Sequence, residues 1–276
     1  MTGTIFYITW RNIPMLQYDF MRNALAAGFL IALLCPVIGS FLVLKRFSMM
    51  GDTLSHSAFA GVALGAFFGL NPSVASLIYT LLAALLIEYL RNRFKSYEEV
   101  VMSIVMTFNV GLAIILASRG SSANIESFLF GSILTVEPSD LFLIAAVTLI
   151  SLIFIRIFYS QLLYITFDEE GAEISKIPVV SLNYLFMALT GATVGVSIRI
   201  TGLLVISSIL VLPVAAALNL RAGFRKTLLW AVGFGLIAVL SGLVLSYYLD
   251  SAPGGTIAIM SVAVLLCSFF LRRKTA

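Results

Sequence analysis

"ALAAGFLIALLCPVIGSFLVLKRFSMMGDTLSHSAFAGVALG", Ala24 to Gly65, decides what kind of protein this is. Its first half carries no charge until Lys45 and Arg46. A run of about 20 apolar residues crosses a bilayer as a helix, and 22–44 reads as one. The second half is apolar too, yet it holds Asp52 and His56, the only histidine of the chain. An ionised carboxylate at membrane depth costs a few kcal/mol on insertion scales. Its presence calls for a cation, a partner or a water-filled cavity.

Working outward, the whole chain has the same character. Of 276 residues, 61% are hydrophobic and 11% charged, against about 25% charged in soluble domains; the mean hydropathy is +1.07. This is the composition of an all-α, polytopic integral membrane protein. Spans are expected at roughly 22–44, 50–70, 73–90, 98–118, 140–160, 179–198, 201–219, 227–249 and 255–271. The basic clusters Lys45/Arg46, Arg91/Arg93/Lys95, Arg221/Arg225/Lys226 and Arg272/Arg273/Lys274 all fall on the cytoplasmic side if every span crosses. That solution has nine crossings and an external N-terminus. Arg199 is its weak point, on the external side between two short segments; if one of these is a half-helix that does not cross, eight spans remain. The net charge of +4 therefore reads as topology, with no nucleic-acid partner. Residues 1–276 are expected to form one integral domain. The first residues lack a basic start followed by an apolar run, so no cleavable signal peptide is expected. Tyr7, Trp10 and Tyr18 suit an interfacial segment. Cys35 and Cys267 both lie in apolar runs, which argues against a disulfide framework or a cysteine metal site.

Asp52 and His56 are spaced i, i+4 and share one helix face, about 6 Å apart. Counted as helix from Arg46, Asp52 lies about 9 Å and His56 about 15 Å further in, near the midplane of a core about 30 Å thick. Carboxylate oxygen and neutral imidazole are both good ligands for zinc or manganese. A hydrogen-bonded pair that merely packs two helices is the plainer reading, and a proton relay through the imidazole is a third. Ser48, Gly51, Thr53, Ser55, Ser57, Gly61 and Gly65 make the segment small and polar, suited to close packing or to lining a path. Two ligands do not complete a tetrahedral site; a symmetric homodimer would supply the pair twice. Glu88, Asn109 and Asn183 fit pore-lining or packing roles. Pro213 removes a helix hydrogen bond and is expected to kink its helix. "SQLLYITFDEEGAEISKIPVV", 160–180, is the longest cytoplasmic connection, a solvated loop or a docking helix for a partner; Asp168-Glu169-Glu170 would favour the N-terminus of a short helix there. No GxxxxGK[ST] loop occurs, so the chain has no nucleotide site of its own.

"LVLKRFSMMGDTLSHSAFAGVALG" resembles the signature of the membrane permeases of bacterial metal-ion ABC importers, the zinc, manganese and iron group. The resemblance continues through "FLFGSILTVEPSDL" (128–141), "FDEEGAEISKIPV" (167–179), "TGLLVISSILVLPVAAAL" (201–218) and "YYLDSAPGGTIAIM" (247–260). It implies the ABC importer permease fold in a bacterial cytoplasmic membrane. It also implies a homodimer docked to cytoplasmic ATP-binding subunits, which bind the ATP, and fed by an extracellular metal-binding solute-binding protein. No cofactor is expected to be permanently bound; the metal is cargo. The resemblance implies that Asp52 and His56 coordinate the ion. It further implies that Phe167, Asp168, Glu169, Ala172 and Lys176 belong to the segment seated on the ATPase. Ala172 fills the first place of the family's Ala-x-x-x-Gly pattern, while Lys176 stands where Gly is usual. "GDTLSHSAFAGVALG" is closer to zinc members, which often read Asp-Thr-Leu and lack Pro after the His, than to manganese members. "EYLRNRFKSYEEV", 88–100, also resembles zinc permeases. The competing readings are a manganese or iron permease of the same family, an ion-coupled secondary transporter working alone, and a non-transporting scaffold.

Overall fold

Polar punctuation between apolar runs sets the helix boundaries. The computed structural model describes residues 14–94, 97–119, 125–134 and 136–273. Tyr7, Trp10, Lys95 and Lys274 lie outside the described residues. After a 3-10 turn at Pro14–Gln17 the described chain is helical: α1 Asp19–Leu44, α2 Met50–Phe68, α3 Pro72–Arg93, α4 Glu98–Arg119, α5 Ile125–Phe130, α6 Pro138–Ile157, α7 Tyr159–Phe167, α8 Glu169–Ile174, α9 Val179–Thr201, α10 Ile206–Asn219, α11 Phe224–Leu249 and α12 Pro253–Arg273. Caps explain the sharpest starts. Asn71 accepts from the amides of Ser73 (3.0 Å) and Val74 (3.4 Å) ahead of Pro72, and Glu137 and Asp140 form a capping box around Pro138. Gly69 closes α2 in the left-handed region at φ 68°.

Each of the nine expected spans coincides with a helix, but the helices differ in kind. Seven are long and apolar enough to cross a membrane: α1, α3, α4, α6, α9, α11 and α12. α2 has the length, at 19 residues, and falls short in apolarity because it carries Asp52, His56 and three hydroxyl side chains. α10 is the short one. Its 14 residues reach about 21 Å at 1.5 Å each, less than a hydrocarbon core of about 30 Å. Among the described residues seven helices thus meet both requirements, fewer than the eight or nine spans expected; the two that fall short are α2 by composition and α10 by length.

α2 lies at the centre of its half of the molecule, packed chiefly on α3 and α4 and also against α9 and α10. α1 packs on α11, α10 and α6, and α11 on α12. The close fit of α2 on α3 requires glycine: a Cβ on Gly61 would lie 2.8 Å from Ser76 Cα. Hydroxyl groups in this packing are satisfied within their own helices. Thr53 donates to the Met49 carbonyl (3.1 Å), Ser55 to Gly51 (2.7 Å) and Ser57 to Thr53 (2.9 Å), so their burial carries no unsatisfied donor. Most of the small polar residues of this segment thus serve packing.

Candidate functional site

The helical count of α2 begins at Met50, not at Arg46. Residues 45–49 form a turn in which the Phe47 amide donates to the Leu42 carbonyl (2.8 Å) and Arg46 adopts φ 63°. This corrects the depth expected from a continuous helix. Asp52 lies about 3 Å and His56 about 9 Å along the axis from the first helical residue. Asp52 is therefore in the first turn of α2, where the helix dipole favours a carboxylate. It is exposed and His56 is half-buried, on the same face.

Asp52 opens into a pocket of ≈ 280 Å³ whose walls are Ser48 and Met49 on one side and Ser207, Ser208, Val211 and Leu212 of α10 on the other. The approach of α10 depends on Gly51, where a Cβ would lie 3.2 Å from Ser207 Cα and 3.3 Å from Ser207 Cβ. Ser207 and Ser208 escaped the sequence reading. The signal was present as a serine pair in the otherwise apolar "LLVISSILVL". Among the described residues no three His, Cys, Asp or Glu side chains gather in a group able to hold a metal. The chain itself brings two such groups to this face, together with serine hydroxyls. Pro213 lies inside α10, where its ring leaves the Ile209 carbonyl without the usual donor.

The other polar residues within the helices hold helices together. Asn109 of α4 donates to Ser57 Oγ and the Val105 carbonyl, both 2.8 Å, and accepts from the Tyr79 hydroxyl at 2.7 Å. It thereby ties α2, α3 and α4 beside His56. Glu88 is fully buried and accepts from Arg91 (3.0 Å) and Asn92 (3.3 Å). Arg91 lies 4.3 Å over the Phe47 ring and 3.9 Å from Glu98. Asn183 of α9 accepts from Lys45 Nζ at 2.7 Å and donates to Glu169 at 2.9 Å. Burial pushes the Lys45 ammonium down to about 8, against the pull of Glu169.

The 160–180 segment, expected as a connection with at most a short helix, is nearly all helix. α7 and α8 turn back toward α9, and Asp168 caps α8 through the Gly171 amide (2.9 Å). Ala172 is fully buried against Ile165, Val179 and Leu182. Phe167 and Ile174 are exposed at 66% and 83%, which leaves two apolar side chains standing out from a firmly anchored knob. Glu169 and Glu173 share a cleft of ≈ 330 Å³ with Tyr89, Asn92, Arg93, Val180 and Tyr184. Lys176 follows α8 at φ 61°, a left-handed conformation that costs a side-chain-bearing residue about 1 kcal/mol and glycine nearly nothing. Lys176→Gly is therefore expected to raise the thermal midpoint of the detergent-solubilised chain by a few degrees. A lowered midpoint would show that the lysine side chain, not the backbone, is what matters there.

At the opposite end, Arg199 of α9 bonds Asp140, Glu137 (3.3 Å) and Ser73 (3.3 Å). This external-side cation is thus neutralised by two carboxylates. Lys45, Arg91 and Arg225 (5.6 Å over the Tyr159 ring) gather at the α8 end.

The ABC 3 transport family model matches residues 17–272. A "Probable metal transport system membrane protein" of Treponema pallidum (strain Nichols) is 47% identical over 253 residues, 91% of this chain and 95% of that one. The "Manganese transport system membrane protein MntC" of Halalkalibacterium halodurans is 30% identical over 94% of this chain and 90% of its own length. The "High-affinity zinc uptake system membrane protein ZnuB" of Haemophilus influenzae is 29% identical over 94% and 100%. Among solved structures, "PsaBC from Streptococcus pneumoniae in complex with Fab" superposes with a TM-score of 0.83 at 30% identity, covering 94% of this chain and 95% of that one.

Proposed function

The chain belongs to the ABC 3 transport family as a multi-span metal-transport permease of the bacterial plasma membrane, and from that premise we propose that it carries zinc inward on Asp52 and His56. The observation that carries this reading is the pocket itself. A carboxylate and an imidazole occupy one helix face, the carboxylate opens into a pocket walled by Ser207 and Ser208, and the chain supplies no third strong ligand there among the described residues. Two copies related by a two-fold axis would bring four ligands to one ion, a suitable set for zinc.

In this reading a solute-binding protein delivers the ion outside, Asp52 and His56 hold it transiently, and the C-terminal ends of α7 and α8 receive an ATP-binding subunit on Phe167 and Ile174. Weak holding suits the task, because an ion bound too firmly does not leave. Zinc is favoured over manganese by the Asp-Thr-Leu stretch before Ser55 and His56. Donor chemistry alone does not choose between them. ATP hydrolysis by the reconstituted complex, compared across zinc, manganese and iron, tests the reading. Zinc is expected to stimulate hydrolysis most. Stimulation by manganese with no response to zinc would reassign the cargo, and transport without any ATP-binding subunit would sink the importer model.

A further inference from the structure

We propose that Asn183 is the positioning residue through which α8 acts on the metal-bearing helix, by tying Glu169 of α8 to Lys45 at the start of the turn that delivers Asp52. The inference rests on the reading of α8 as the seat of an ATP-binding subunit. Its geometry is a chain of three side chains from three elements. Lys45 Nζ donates to Asn183 Oδ1 at 2.7 Å, and Asn183 Nδ2 donates to Glu169 Oε1 at 2.9 Å. A carboxamide suits the middle place, because it offers an acceptor to the cation and a donor to the anion at once. Asn183 is 2% exposed, so water competes little for either bond, and both bonds involve a charged partner.

The turn at the other end of this chain is stiff. Residues 45–49, Lys-Arg-Phe-Ser-Met, contain no glycine, and Phe47 is pinned beneath the Arg91 guanidinium at 4.3 Å. The Lys45 ammonium also lies 5.9 Å over the Phe186 ring. Asp52 follows in the first turn of α2. A shift of α8 that drags Glu169 therefore pulls on a rigid turn whose next element carries the metal-binding face. Burial already holds the Lys45 ammonium down to about 8, which marks this cation as one that needs its partners.

The test uses the permease with the ATP-binding subunit of its own importer in vesicles, with zinc taken up and phosphate released measured together. Asn183→Leu is expected to lower zinc moved per ATP about tenfold or more, within the range typical of coupling between sites, while the ATP-binding subunit still copurifies. An unchanged ratio overturns the relay. Asn183→Asp sets a carboxylate against Glu169 and is expected to lower the ratio too, and adding Glu169→Gln supplies an amide donor and restores it. Packing alone predicts no such restoration, and its absence overturns the proposal even if the leucine variant does not fold. Absence of the ATP-binding subunit from the wild-type preparation would overturn the docking reading and the relay with it. A normal complex with a normal ratio in Asn183→Leu would overturn the relay alone.

Discussion

Asp52→Asn and His56→Ala are each expected to drop zinc accumulation in reconstituted vesicles to the level of empty vesicles. The reason lies in how little else these side chains do. Asp52 is exposed in the first turn of α2 and His56 is half-buried, and neither is needed to hold α2 on α3 or α4. That packing depends on glycine approach at Gly61 and on hydroxyl groups bonded within their own helix. The asparagine keeps the shape of the carboxylate and removes its charge, so the ion loses its only anionic ligand from this chain's pocket. Helix content, thermal midpoint and copurification with the ATP-binding subunit are expected to stay at wild-type values. Full uptake by either variant would remove that residue from the path. Loss of assembly along with uptake would show a structural role instead.

Arg91→Leu is expected to have the largest effect on stability, about 3–5 kcal/mol, the usual cost of stranding one member of a buried ion pair. Glu88 is completely buried, and its Oε2 has no hydrogen-bond partner even with Arg91 present. Removing the guanidinium leaves that carboxylate with Asn92 alone, at 3.3 Å, and takes the cover off Phe47. The double change Glu88→Leu with Arg91→Leu removes both charges and is expected to recover most of the loss, since a well-packed apolar pair often equals a buried salt bridge. Thermal unfolding of the solubilised chain followed by tryptophan fluorescence reads both. A single variant as stable as wild type would mean that water reaches Glu88.

Much of the fold was legible because membrane helices announce themselves locally. Twenty apolar residues in a row need no knowledge of their neighbours, and each expected span became a helix. The 160–180 segment was harder. Asp168 before Glu169 and Glu170 signalled a helix start, and Asp168 does cap α8, but the burial of Ala172 depends on Ile165 and Leu182, which come from the helices on either side. Arg199 looked misplaced because its partners, Glu137 and Asp140, lie about sixty residues away. The depth of Asp52 was misjudged because a helix was counted through 45–49, where the chain turns.

The sequence by itself determined that this chain is a membrane-embedded helical protein, which residues form its helices, and that Asp52 and His56 share a face. Those properties depend on composition and on spacing along one helix. Only the tertiary structure decided that α10 brings Ser207 and Ser208 to Asp52, that Gly51 makes room for them, and that Asn183 joins Lys45 to Glu169. Those contacts link residues far apart in the chain, and no local pattern encodes which helix faces which. Their geometry follows from how apolar surfaces and buried polar groups satisfy one another all at once.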